Sequence, residues 1–184
     1  MNLYDFEQNF GNYYPPKILV DLLDFQNKYY NYAKGFGLFG EGTFAIQHLS
    51  ITSEFLERLL CFANDEKGST FAFWDDSTKK DIKEMPIIVI ADKDGIHIVA
   101  ENIKQLLQLL SCDIAISVNR DKAYFNKDIA NHTKSLHHGI FIQWLKENYQ
   151  IEPNYNPNEI IATAQNKYKT DFNNWLQNFV KQKS

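Results

Sequence analysis

Apolar residues recur along this chain with two different periods, and the switches between them divide it into helical and extended segments. After a polar-aromatic lead, Pro15-Pro16 marks a helix start, because proline is tolerated where the first-turn donors are unpaired anyway. Ile18, Leu19, Leu22, Leu23, Phe25 and Tyr29 then follow at helical spacing, predicting an amphipathic helix over roughly 16–30 that Gly35 and Gly37 close. The glycine-punctuated stretch Phe36–Gly42 reads as a turn leading into a short strand, Thr43–Gln47. Ser53 is placed to cap a helix with Glu54 and Glu57 in its first turns and Phe55, Leu56, Leu59, Leu60 and Phe62 on its buried face. Asp65–Gly68 breaks that pattern.

The middle of the chain changes to a strand pattern. Thr70–Trp74 is a strand, and a charged loop follows from Asp75 to Glu84. Ile87–Ala91 is an unbroken β-branched run of the kind expected of a strand covered on both faces. Asp92–Gly95 supplies the positive-φ chemistry of a hairpin turn, and Ile96, Ile98 and Ala100 alternate with His97 and Val99 on the return. A helix begins near Glu101, with Ile103, Leu106, Leu107, Leu109 and Leu110 inward. Helical spacing returns over Thr133–Tyr149 and again over 158–181, with a loop at Asn154–Asn158 between them. The order predicts an α+β fold: a single domain in which several α-helices pack a mostly antiparallel, mixed β-sheet.

Composition narrows the function classes. At 184 residues and 44% hydrophobic, the chain is the size of one domain with a core of its own, which excludes disorder. The longest apolar run is strand-sized, so no bilayer span is expected, and the acidic N-terminus does not read as a signal peptide. Cys61 and Cys112 sit among apolar residues and read as buried thiols of a reduced, cytoplasmic protein. Charge is uneven: residues 1–118 hold 17 Asp and Glu against 10 Lys and Arg, whereas 119–184 hold 6 against 9. That acidic bias argues against contact with a nucleic-acid backbone and favours encounter with a basic partner. With 17 lysines and only 2 arginines, a phosphate pocket built on guanidinium forks is not expected.

The familiar catalytic patterns are absent. The glycines at 37–42 precede a strand and lack the Lys-Ser/Thr of a phosphate loop. His132, His137 and His138 lack the i, i+4 spacing of a metal-binding helix, and His48 and His97 lie far off in sequence, so no metal is expected. Asp92-x-Asp94-Gly95 opens like a calcium loop, but its glycine comes too early and Ile103 stands where the bidentate glutamate belongs. No Gly-x-Ser-x-Gly elbow occurs, and Cys61 and Cys112 fall among helix-face leucines without the electropositive setting of a reactive thiol. Asp75, Asp76, Asp81 and Glu84 share one loop rather than two contrasting environments, which suits a surface patch better than an acid/base pair.

One resemblance spans residues 15–112. The helix after Pro15-Pro16 with Leu23-x-Phe25, then Gly37-Leu38-Phe39-Gly40, Phe71-Ala72-Phe73-Trp74, Pro86-Ile87-Ile88-Val89 with Asp94-Gly95, Val99-Ala100-Glu101-Asn102 and Leu106-x-x-Leu109-Leu110 together resemble the SUKH superfamily. That superfamily includes fungal cell-wall-synthesis regulators and many bacterial immunity proteins. The resemblance implies an α+β fold, no catalysis, no cofactor, and neutralisation of a cognate toxin, frequently a nuclease, by protein–protein occlusion. It carries no catalytic residues over. From the charge pattern, the expected interface is the 75–84 loop with the neighbouring hairpin: Asp75, Asp76, Asp81, Glu84, Asp92 and Asp94, with Trp74 as aromatic anchor. The expected partner is a basic toxin domain, with no direct nucleic-acid or membrane contact, and the chain itself a monomer or homodimer. Two other readings remain open: a regulatory scaffold for an endogenous partner, and a small-molecule enzyme with a site near His137.

Overall fold

Strands that are apolar at every position can be stable only if both of their faces are covered, and the architecture follows from that demand. A computed structural model of the chain describes residues 1–40, 46–47, 49–50, 52–78, 81–91, 94–126, 133–154 and 156–179. Five strands form one antiparallel sheet in sequence order: β1 (Gly37–Leu38), β2 (Leu59–Asn64), β3 (Thr70–Trp74), β4 (Ile87–Ala91) and β5 (Gly95–Ala100). Alternation sorts the side chains. Phe62, Phe71, Phe73, Ile87 and Val89 face one core; Cys61, Ala72, Trp74, Ile88 and Ile90 face the other.

The first core is closed by helices α1 (Leu3–Glu7), α2 (Lys17–Lys28), α4 (Ile103–Leu110) and α5 (His138–Tyr149). The second is closed chiefly by α6 (Pro157–Leu176), whose Ala164, Tyr168, Phe172 and Trp175 form one stripe, with Phe55 of α3 (Ser53–Glu57) beside it. Trp175 stacks on Phe55 at 5.6 Å, and Trp74 meets Phe172 edge-on at 5.0 Å. A small separate hairpin, β6 (Ser117–Val118) with β7 (Ala123–Tyr124), completes the elements. This is a single α+β domain. Among the described residues no helix is long and apolar enough to cross a membrane.

Several expected elements are corrected. The helix expected through Phe62 stops at Glu57, Thr52 rather than Ser53 is its N-cap, and Leu59–Asn64 is a sheet strand. Cys61 therefore lies on a strand and not on a helix face. The fifth helix starts at His138 instead of Thr133, because the residues before it are pinned by Asp113. This buried carboxylate accepts hydrogen bonds from the Ser135 backbone N–H and hydroxyl (both 2.6 Å) and from the Lys34 N–H (3.0 Å), joining three loops. The Asn102 side chain caps α4 by accepting from the Gln105 N–H at 3.0 Å, so the helix begins at Ile103. The last helix ends at Leu176, and residues beyond 179 lie outside the described part, as do 43–45 of the expected Thr43–Gln47 strand.

The outer edge of β1 is closed by side-chain amides. Gln26 accepts from the Leu38 N–H (2.7 Å) and donates to its carbonyl (3.0 Å), as a neighbouring strand would, and Asn9 donates to the Phe39 carbonyl (2.6 Å). Gln26 also accepts from the buried Tyr32 hydroxyl. Replacing Gln26 with leucine strands three polar groups and should lower stability by about 2 kcal/mol, read as a shift in the urea midpoint at unchanged slope. An unshifted midpoint would show that the amide does not secure the edge.

Candidate functional site

Antiparallel pairing decides which of the expected interface residues can act together. Phe73 pairs with Ile87 and Thr70 with Ile90, so the loop after β3 and the turn after β4 emerge at opposite ends of the sheet. Asp94 is thus separated from Asp75, Asp76, Asp81 and Glu84 by the length of a strand, on the order of 15 Å at about 3.3 Å per residue. The single patch expected from sequence is two patches. Asp92 lies outside the described residues. Trp74 is 2% exposed and packs under α6 against Phe172 and Trp175, so it is a core residue and presents no anchor at the surface. Its indole N–H, like that of Trp175, has no hydrogen-bond partner, and both rings are held by packing.

The four loop carboxylates differ in how firmly they are fixed. Asp81 caps a short 3-10 turn, Ile82–Glu84, and pairs with Lys83 at 2.9 Å; the hydrogen bond from Lys83 holds its carboxyl below the ordinary value. Both groups are more than half exposed, so the pair contributes little stability. Asp76 accepts from the Thr78 N–H. Glu84 is exposed beside Lys83. Asp75 is the most constrained. Its carboxylate accepts from the Tyr13 hydroxyl (2.7 Å) and the Ser77 N–H (2.8 Å), and its backbone carbonyl accepts from Arg58 Nε (2.6 Å).

These contacts gather around a cleft of about 520 Å³ between the N-terminal segment, the α3–β2 junction and the start of the loop. The polar residues of its lining are Glu57, Asp75, Arg58 and Tyr13, with Gln8, Asn9 and Asn12. Arg58 is not free within it: its guanidinium carbon lies 5.2 Å from the Trp175 ring centroid while Nε is held by Asp75. Sequence reasoning missed Tyr13, Glu57 and Arg58. The available signals were modest: an adjacent tyrosine pair ahead of Pro15 and one of only two arginines.

The remaining reactive side chains lie apart from this cleft, and one group of them gathers where His138 Nδ1 lies 4.0 Å from the Asp113 carboxylate. Burial pushes the Cys61 thiol far up, and it also raises Cys112 against an opposing pull from Lys134, so both favour the protonated thiol. Cys112 shares a pocket of about 260 Å³ with His138, but its thiol points to the Asn154 carbonyl at 3.4 Å. His137 donates through Nδ1 to the Tyr30 carbonyl (2.5 Å), and His97 through Nε2 to the Asp94 carbonyl (3.1 Å). His48 and His132 lie outside the described residues. Among the described residues no three His, Cys, Asp or Glu side chains come together to hold a metal ion. Comparison with protein-family models, curated proteins and solved structures finds no match.

The hydrogen bond to Asp75, reinforced by burial and the aspartate charge, raises the Tyr13 phenol from 10.0 to about 12. A raised phenol favours the neutral form, so its stabilising effect is whole below pH 10 and is lost as pH rises through about 12. In a ring-labelled NMR titration the Tyr13 signal should stay unmoved near pH 10 and shift only toward pH 12. Movement centred on pH 10 would mean that Asp75 is not held by Tyr13.

Proposed function

We propose that this chain is a non-enzymatic immunity protein of the SUKH type, which neutralises a basic toxin domain by binding it at the pole carrying Asp75, Asp76, Asp81 and Glu84. The observation that carries the reading is the preset Asp75 carboxylate at the mouth of a carboxylate-walled cleft, with Asp76 following it in the chain. The loop from 75 to 84 holds four carboxylates against three lysines, a net of −1, and a preorganised carboxylate meets a positive surface at small entropic cost. The α+β domain is the architecture that the SUKH resemblance implies. Catalytic surfaces of nucleases are basic where they meet nucleic acid, so an acidic partner seated there blocks substrate entry.

The test is co-expression with the product of the adjacent upstream gene, the usual place of a cognate toxin. Cells should survive with the wild-type chain. The double charge reversal Asp76→Lys with Asp81→Lys should slow association of the purified pair about tenfold at low salt and flatten its salt dependence. Toxicity unrelieved by the chain would end the reading, and unchanged rates in the reversed variant would remove this pole from the interface.

A further inference from the structure

We infer that the cleft beside Asp75 is a receptor for a single arginine side chain on a protein partner; this rests on the binding role proposed above and names what the site recognises. The cavity, about 520 Å³, is far larger than a bridging water needs and can admit a guanidinium together with the backbone that bears it. Its lining includes residues with planar acceptors: Asp75, Glu57, Gln8 and Asn12. Planar acceptors match the forked donors of a guanidinium better than the point charge of an ammonium.

Asp75 is prepared for such a guest. An ionised carboxylate offers about four lone-pair sites, and two named donors, the Tyr13 hydroxyl and the Ser77 N–H, fix its plane without filling them.

The resident Arg58 raises an objection, since a second cation would be repelled. Its Nε is engaged by the Asp75 carbonyl and its plane rests over Trp175, so its charge is anchored to the α6 side of the wall. Two carboxylates against one guanidinium leave the lining net negative. Glu57, exposed at the end of α3, is then the carboxylate free to turn toward a guest.

The experiment uses the full-length chain and N-acetyl-arginine N-methylamide as probe, with the citrulline and lysine analogues as controls. In amide NMR the arginine probe should shift the side-chain signals of Gln8 and Asn12 and the Ser77 N–H. It should bind about tenfold tighter than either control, and Glu57→Gln should erase that preference. Equal affinity for the citrulline analogue, or shifts confined to other surfaces, would overturn the inference. The two proposals can fail separately. A chain that protects against the toxin but ignores the arginine probe retains its function and loses this site. Arginine-selective binding without any protection leaves the site standing and removes the toxin role.

Discussion

Burial of the central strands on both faces is the constraint from which the rest of this structure follows. Phe71 and Phe73 face one core while Ala72 and Trp74 face the other, and β4 divides in the same way. A sheet of this kind has no solvated face, so it meets solvent only at its ends and its edges. The β1 edge is closed by Gln26 and Asn9, and β5 receives a side-chain hydrogen bond from Gln165 of α6 to the Ile98 carbonyl (3.1 Å). The two ends remain. At one of them the loop after β3 meets the N-terminal segment, and the cleft lies there.

That cleft is positioned by the same packing that covers the sheet. Arg58, between α3 and β2, lies against Trp175, which itself stacks on Phe55. The Asp75 backbone continues β3 pairing by donating to the Arg58 carbonyl (2.9 Å), while Tyr13 reaches it from the segment ahead of α2. Three regions distant in sequence thus meet at Asp75, Tyr13 at its carboxylate and Arg58 at its backbone. A residue fixed this way loses little freedom when a ligand arrives, which favours recognition over rearrangement.

Much of the fold was legible in the sequence because its signals were local. Thr70–Trp74, Ile87–Ala91 and the Asp-Gly hairpin are strands and a turn by composition alone, and the α4 stripe is helical by spacing. Leu59–Asn64 was not legible. A strand apolar on both faces shows no alternation, and its Leu59, Leu60 and Phe62 also extend the helical spacing begun at Phe55 and Leu56. The expected interface divides for a different reason. Treating Asp94 and Asp75 as neighbours ignored the direction of β4, which antiparallel pairing alone would have exposed. Trp74 required knowing that α6, some eighty residues later, returns to cover its face.

The two errors carry one physical lesson about where charge can act. The acidic surplus of the first two-thirds of the sequence is a sum, and a sum has no position. Once folded, Asp81 pairs with Lys83 and Asp21 with Lys17, cations already counted in that sum, while Glu101 is answered by Lys167 from the basic final third. For Asp21, burial pushes the carboxyl up, yet hydrogen bonds from Lys17 and Tyr149 outweigh it and hold the group ionised. Asp75 is held differently: its carboxylate accepts from a phenol and a backbone N–H, while the Arg58 guanidinium beside it is hydrogen-bonded to the Asp75 backbone carbonyl. The geometry of this carboxylate is therefore set by the neutral groups of Tyr13 and Ser77, and the positive charge beside it by Arg58, not by the number of acidic residues in the chain.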